Sequence, residues 1–241
     1  MCSAILSASL TTLQSTNFIY AANSATKPNL KTNSIMVFAA SSLTDSYTQL
    51  GQRFEKSNPG FKVRFSFQAT STLATQIKSG ASVDVFVSAE PVSGINASGR
   101  DYLRNRVVLA VPKNSKITQI SDLNGAISWV VCAKEVPCGK VAQAALAGEQ
   151  ITTQPVSYEP RVSSAVAKLL AGEVDAAIIY RSDVVTNNQR LRAIEFQNRN
   201  ATYTTYQIFQ LSQSKNVARF VKYLQSESAV KYLQSKGFER I

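Results

Sequence analysis

From Ser34 onward, short runs of β-branched residues alternate with amphipathic stretches, and this alternation limits most what the chain can fold into. Strands are predicted at Ile35–Ala39, Lys62–Phe67, Val83–Ser88, Val107–Val111, Ser128–Val131 and Ala176–Tyr180, with helical periodicity between them. Thr44–Ser57 places Tyr47, Leu50 and Phe54 on one helical face, and Asn58-Pro59-Gly60 stops it. Helices are also predicted over Thr72–Ser79, Gly139–Ala147 and Ser163–Ala171, each followed by a glycine (Gly80, Gly148, Gly172) at the C-terminal cap position. Val217–Ser235 reads as one or two closing helices. Repeated strand-helix-strand units specify an α/β fold around parallel or mixed sheets. The absence of an internal repeat removes a solenoid.

A chain of 241 residues has room for two lobes of about 100 residues each. If the strand at Val107–Val111 crosses to a second lobe and one near Tyr206–Leu211 crosses back, a ligand site lies in the hinged cleft between them. The boundaries expected are residues 1–33 as leader and tether, 34–107 as the first part of lobe I, 108–207 as lobe II, and 208–241 as the return to lobe I.

Histidine is absent, which removes the commonest general base, the commonest metal ligand and every Ser-His or Cys-His nucleophile. Three cysteines, Cys2, Cys132 and Cys138, supply no four-ligand zinc site, and no metal cation site is expected. The formal charge is +11. Its basic residues are dispersed without interleaved aromatics, which fits a soluble surface or proximity to anionic lipid and not a nucleic-acid binder.

Residues Cys2 to Ala22 are small, hydroxylic or apolar, with no acidic residue, and Tyr20-Ala21-Ala22-Asn23-Ser24-Ala25 offers small residues for signal-peptide cleavage. Either a signal peptide with a poor basic region is present, or the true start lies upstream and Cys2 is the acylated cysteine of a lipoprotein. Both readings place the protein outside the cytoplasm, periplasmic or tethered at the cell surface. An unstructured cytosolic tail is the alternative. No run of about 20 apolar residues is present to span a membrane as a helix.

The chemistry is concentrated at the starts of the predicted helices. Val37-Phe38-Ala39-Ala40-Ser41-Ser42-Leu43-Thr44-Asp45 carries Ser42 as candidate N-cap with Asp45 three residues on, the spacing of a capping box. Phe67-Gln68-Ala69-Thr70-Ser71-Thr72-Leu73 repeats the arrangement, as do Val136-Pro137-Cys138-Gly139-Lys140 and Pro160-Arg161-Val162-Ser163-Ser164. A helix N-terminus offers unpaired N–H donors and about half a positive charge, so several that converge make an anion site without a buried cation. Taken singly, each hydroxyl is an ordinary cap. Four together point to an oxyanion.

These segments resemble the molybdate-binding component of bacterial ABC importers over residues 34 to 241. Phe38-Ala39-Ala40-Ser41-Ser42-Leu43-Thr44 is similar to the family's first anion loop and Thr70-Ser71-Thr72-Leu73-Ala74-Thr75-Gln76-Ile77 to its second. Val83-Asp84-Val85-Phe86-Val87-Ser88-Ala89 resembles the strand that follows, Val136-Pro137-Cys138-Gly139 the Val-Pro-x-Gly turn, and Ala176-Ala177-Ile178-Ile179-Tyr180-Arg181-Ser182-Asp183 the Tyr-x-Ser-Asp strand end.

The resemblance implies a type II periplasmic-binding-protein fold, each lobe a mixed, mostly parallel sheet flanked by helices, joined by two crossover strands. It implies hydroxyl or amide donors from Ser42 and from Thr70 or Ser71, backbone amides at Cys138 and Val162, and the phenol of Tyr180. The ligand implied is molybdate or tungstate, with no cofactor and no catalysis. The partners implied are the permease of an ABC importer and, through Cys2, a membrane surface, for a monomeric protein. Thr70 stands where a serine is expected, so its methyl group bears on which oxyanion fits. Cys132 and Cys138 flank the third anion loop. Oxidised, they would stabilise the fold by about 2 kcal/mol in the loop-entropy model; reduced buried thiols are the alternative.

Sulfate is a competing ligand, and ferric iron would need Tyr or carboxylate ligands that the pattern does not assemble. A regulator's effector-sensing domain would need a helix-turn-helix, for which the first 33 residues are too poor in helix signals. An enzyme would need Asp45, Asp84, Glu135 or Asp183 to pair in the cleft. Asp45 reads better as a cap partner and Asp84 as a strand-end residue.

Overall fold

A computed structural model of the chain describes residues 33–241; the leader and Cys2 lie outside the described residues. Lobe I begins with β1 (Asn33–Ala40), α1 (Thr44–Ser57), β2 (Phe61–Gln68), α2 (Thr70–Lys78) and β3 (Val85–Ser88). β1 pairs in parallel with both β2 and β3, and Val37, Phe38, Ala39 and Ala40 are buried in succession. That consecutive burial is what a strand covered on both faces requires. α1 buries Tyr47, Leu50, Gly51 and Phe54. Gly51 is needed there, because a Cβ would stand 2.6 Å from the Phe65 ring of β2.

The crossing element is β4 (Arg100–Pro112), a single 13-residue strand longer than the predicted Val107–Val111. Its first half pairs antiparallel with β9 (Tyr203–Gln210) in lobe I. Its second half pairs with β7 (Ala176–Tyr180) and β8 (Leu191–Ile194) in lobe II. Lobe II also holds β5 (Trp129–Cys132), α3 (Pro137–Leu146), β6 (Ser157–Glu159), α4 (Val162–Ala171) and α5 (Arg181–Thr186). Lobe I is completed by β9, α6 (Lys215–Leu224), α7 (Glu227–Ser235) and β10 (Glu239–Arg240). The main strand order is β2-β1-β3-β9-β4-β7-β5-β6.

Each lobe has its own core. Ile35, Leu43, Tyr47, Leu50, Phe54, Tyr206, Phe220 and Leu233 pack together in lobe I, and Leu109, Trp129, Val130, Ala142, Leu169, Ile178 and Ile179 in lobe II. Burying a side chain of that size contributes roughly 1.5–3 kcal/mol. Between the cores β4 turns polar: Asn105 and Arg106 are both buried. Arg106 pairs at 3.0 Å with Glu195, which follows β8, and also with Glu239 on β10. One cation therefore ties both lobes at the crossing, its burial offset by two carboxylates.

The closing segment divides because Ser214 and Ser226 each cap a helix, Ser214 Oγ accepting from Val217 N–H at 3.2 Å and Ser226 Oγ from Ala229 N–H at 3.3 Å. Gly80 and Gly172 adopt positive φ after their helices, but Gly148 does not; beyond α3 the left-handed residue is Gln150. The predicted glycine cap at 148 is corrected accordingly. α3 is followed by Ala147 in right-handed conformation, so the turn reverses two residues later than a glycine cap would place it.

Candidate functional site

All four predicted helix starts open into one cavity between the lobes. It is lined from lobe I by Ala40, Ser41, Ser42, Gln68, Ala69, Thr70 and Ala89, and from lobe II by Val136, Pro137, Cys138, Arg161, Val162 and Tyr180. The space is about 20 Å³ for the centre of a water-sized group, enough for a small compact ligand and too little for a sugar or an amino acid. A roomier groove, about 280 Å³ by the same measure, runs between Trp129, Leu146 and Tyr158 on lobe II. None of the helix starts opens into it.

At the first helix start, β1 passes through one 3-10 turn, Ser41–Leu43, before α1 begins. Leu43 takes the N-cap position, without a side-chain cap bond. The expectation of a Ser42–Asp45 capping box is therefore corrected: the extra turn carries Ser42 out of reach of the α1 amides. Its Oγ lies instead 2.8 Å from the Tyr206 hydroxyl. At the second, Ala69 is the N-cap and the helix begins at Thr70. Thr70 Oγ1, buried, accepts the Ala89 N–H at 2.9 Å, so the hydroxyl hydrogen is left to donate. Ser71 is not among the lining residues and its side chain is exposed, because successive helical positions diverge by about 100°. Of the two alternatives at this loop, the structure brings only Thr70 to the cavity.

At the third, Pro137 takes the first turn of α3, where its missing N–H costs nothing. Gly139 and Lys140 N–H both return to Val136 O, whereas Cys138 N–H has no backbone acceptor among the described residues. α3 presses so closely on the preceding loop that a Cβ on Gly139 would stand 1.9 Å from the Ala133 oxygen. The Cys132 and Cys138 sulfurs are 2.02 Å apart, a disulfide that fastens the same loop to the end of β5. At the fourth, Val162 opens α4, again with no backbone acceptor for its N–H.

Tyr180 ends β7, buried, its hydroxyl 3.0 Å from Thr204 Oγ1. Burial holds its phenol well above the ordinary value, so it keeps its proton to donate. The cavity thus gathers hydroxyl and amide donors, and no carboxylate lines it. Such a surface suits an anion that carries no proton of its own.

The chain is similar over most of its length to known proteins. The family model for bacterial extracellular solute-binding proteins matches residues 35–239. The chain belongs to that family. Similar relatives include the molybdate-binding protein ModA of Mycobacterium tuberculosis, 30% identical over 91% of this chain and 89% of the relative. ModA of Escherichia coli is 30% identical over 85% of this chain and 88% of the relative. Among solved structures, the periplasmic molybdate-binding protein of Azotobacter vinelandii superposes with a TM-score of 0.71 at 18% identity, covering 85% of this chain and 98% of that one. The fold is accordingly the two-lobed α/β architecture of periplasmic binding proteins.

Two features of this solute-binding protein were not anticipated by the sequence reading. Lys140 on α3 forms an ion pair across the cleft with Glu90, which follows β3. Thr204 and Tyr206, two residues apart on β9, each hold one hydroxyl of the lining set. Their signal in the sequence was only an unbroken run of hydroxylic residues, Thr202-Tyr203-Thr204-Thr205-Tyr206, which does not show which of them face inward. Arg161 is exposed and also lines the cavity.

Proposed function

We propose that this chain captures molybdate or tungstate in the interlobe cavity, without catalysis, and delivers it to the permease of an ABC importer. The observation that carries the reading is the lining: five donor positions from four helix starts and one strand end, with no carboxylate among them. The relatives that bear the name of molybdate-binding proteins over nearly their full lengths support it. In this reading Ser42, Thr70 and Tyr180 donate through hydroxyls, and Cys138 and Val162 through backbone amides. Neutral donors compensate a dianion by hydrogen bonding and by two or more helix dipoles, and leave it releasable, since no buried counter-ion is stranded on opening.

Capture shifts an open-to-closed equilibrium by the differential affinity of the two states for the anion. We take the first crossing at about residue 107 and the return to lobe I at the start of β9, ahead of the expected 208 because Tyr206 packs in the lobe I core. We take the protein as a monomer working outside the cytoplasm, and Cys2 as its lipid anchor to a membrane surface. The Cys132–Cys138 disulfide suits an oxidising compartment. Isothermal titration of the purified protein tests the reading. Micromolar or tighter binding of molybdate, with sulfate and phosphate much weaker, is the expected result. Preference for sulfate would reassign the ligand, and silence toward every oxyanion would overturn the reading.

A further inference from the structure

β9 returns the chain from lobe II to lobe I, and its buried face carries Thr204, Tyr206 and Ile208 at the two-residue period of a strand. Thr204 and Tyr206 are almost wholly buried, 3% and 0% exposed. Neither lines the anion cavity. Each nevertheless meets one lining hydroxyl, and the two hydroxyls come from opposite lobes. Thr204 Oγ1 is 3.0 Å from the hydroxyl of Tyr180, at the end of β7 in lobe II. Tyr206 Oη is 2.8 Å from Ser42 Oγ, at the end of β1 in lobe I.

We propose that Thr204 and Tyr206 are positioning residues of the anion site, which orient the Tyr180 and Ser42 hydroxyls so that each points its hydrogen into the cavity. A hydroxyl has one hydrogen and can accept as well as donate. Tyr180 can give its hydrogen to an anion only if its contact with Thr204 runs the other way, Thr204 donating and Tyr180 accepting. Ser42 is in the same position toward Tyr206, and a phenol is the better donor of that pair. With both contacts running toward the cavity, two donors from two lobes are set by alternate residues of one strand. Their spacing is then kept by backbone geometry and not by side-chain chance. Thr70 follows the same logic with a backbone partner, since Ala89 N–H fills its acceptor site.

This inference rests on the oxyanion reading, and the test separates the two. Molybdate affinity is measured by titration calorimetry for Thr204→Val, Thr204→Ser, Tyr206→Phe, Ser42→Ala, Tyr180→Phe and the four pairings of strand and donor variants. Thr204→Val and Tyr206→Phe each weaken binding by about tenfold, the scale of one oriented hydrogen bond. Thr204→Ser, which keeps the hydroxyl, recovers most of that loss. Tyr206→Phe adds nothing to Ser42→Ala, and Thr204→Val adds nothing to Tyr180→Phe, whereas the crossed pairs add in full. Additive losses within the matched pairs, or a Thr204→Ser protein as weak as Thr204→Val, would overturn the proposal. If Tyr206→Phe does not fold, the Thr204 series decides by itself. Unaltered affinity in the variants with normal wild-type binding overturns only the positioning role; a wild-type protein silent to all oxyanions overturns the oxyanion reading with it.

Discussion

The Lys140 ammonium on α3 meets the Glu90 carboxylate that follows β3, so an ion pair spans the cleft beside the cavity. The lysine side chain is 53% exposed and the glutamate 20%, so the pair contributes on the order of 1 kcal/mol or less. It exists only while the lobes are together. Lys140→Met should therefore speed ligand release by up to about fivefold with little change in association. Stopped-flow displacement at low and high salt checks this, and salt should narrow the gap between variant and wild type.

Gly139 is irreplaceable for a steric reason. A Cβ there would overlap the Ala133 oxygen at 1.9 Å and crowd the Cys132 oxygen at 2.7 Å, and both are backbone atoms that cannot rotate away. Gly139→Ala should destabilise the protein by about 2 kcal/mol or more and displace the Cys138 amide, with a matching loss of anion affinity. Gly148→Ala is the control, because nothing lies within 4 Å of its Cβ and its φ is not positive. Urea denaturation of both variants measures the difference.

Asp183, at the start of α5, has its carboxyl pushed up to about 7 by burial, against a downward pull from the Tyr180 N–H it accepts at 3.0 Å; the Asp45 charge adds to the rise. Some of the residue's surface stays accessible, but the carboxyl itself is enclosed by the fold. Between pH about 4 and 7 the folded protein keeps a proton that the unfolded chain releases. Its contribution to stability is thus fully present near pH 4 and falls as pH rises through 7. Asp183→Asn keeps an acceptor for Tyr180 and should remove that fall. Glu55, Glu159, Glu195 and Glu239 are shifted downward and act in the opposite sense at lower pH. The readout is the difference between variant and wild type in denaturation midpoints from pH 4 to 8.

The Cys132–Cys138 bridge closes a short loop, with a sequence separation of 6. Reduction should cost about 2 kcal/mol in the loop-entropy model, which is about 4 to 8 °C in Tm for a chain of this size. Scanning calorimetry with and without dithiothreitol measures it. A Cys132→Ser, Cys138→Ser double variant should melt near the reduced protein and ignore the reductant.

Much of the fold was legible because its signals are local. The residues of β7 and α1 coincide with the predicted Ala176–Tyr180 and Thr44–Ser57, since a wholly apolar strand and a clear helical stripe each reveal themselves within a few residues. The strands that were not read, β6, β8 and β10, have three, four and two residues, too few for any period to show. β4 was read only in its apolar half, because Arg104, Asn105 and Arg106 look like a loop until their partners on β9 and β10 and at Glu195, just after β8, are known.

The amino-acid sequence by itself determined that four helices begin at hydroxylic or small-residue turns, and so that backbone donors would be available for an anion. Local spacing is enough for that, because caps and amphipathic faces are made by residues a few positions apart. Tertiary structure alone decided what each hydroxyl does. Ser42 left its expected cap for Tyr206, 164 residues away, Thr70 turned inward while Ser71 stayed in solvent, and Tyr180 was joined to Thr204. The physical reason is that a hydroxyl is satisfied by whichever partner the packed lobes bring within about 3 Å, and chain proximity does not specify that partner.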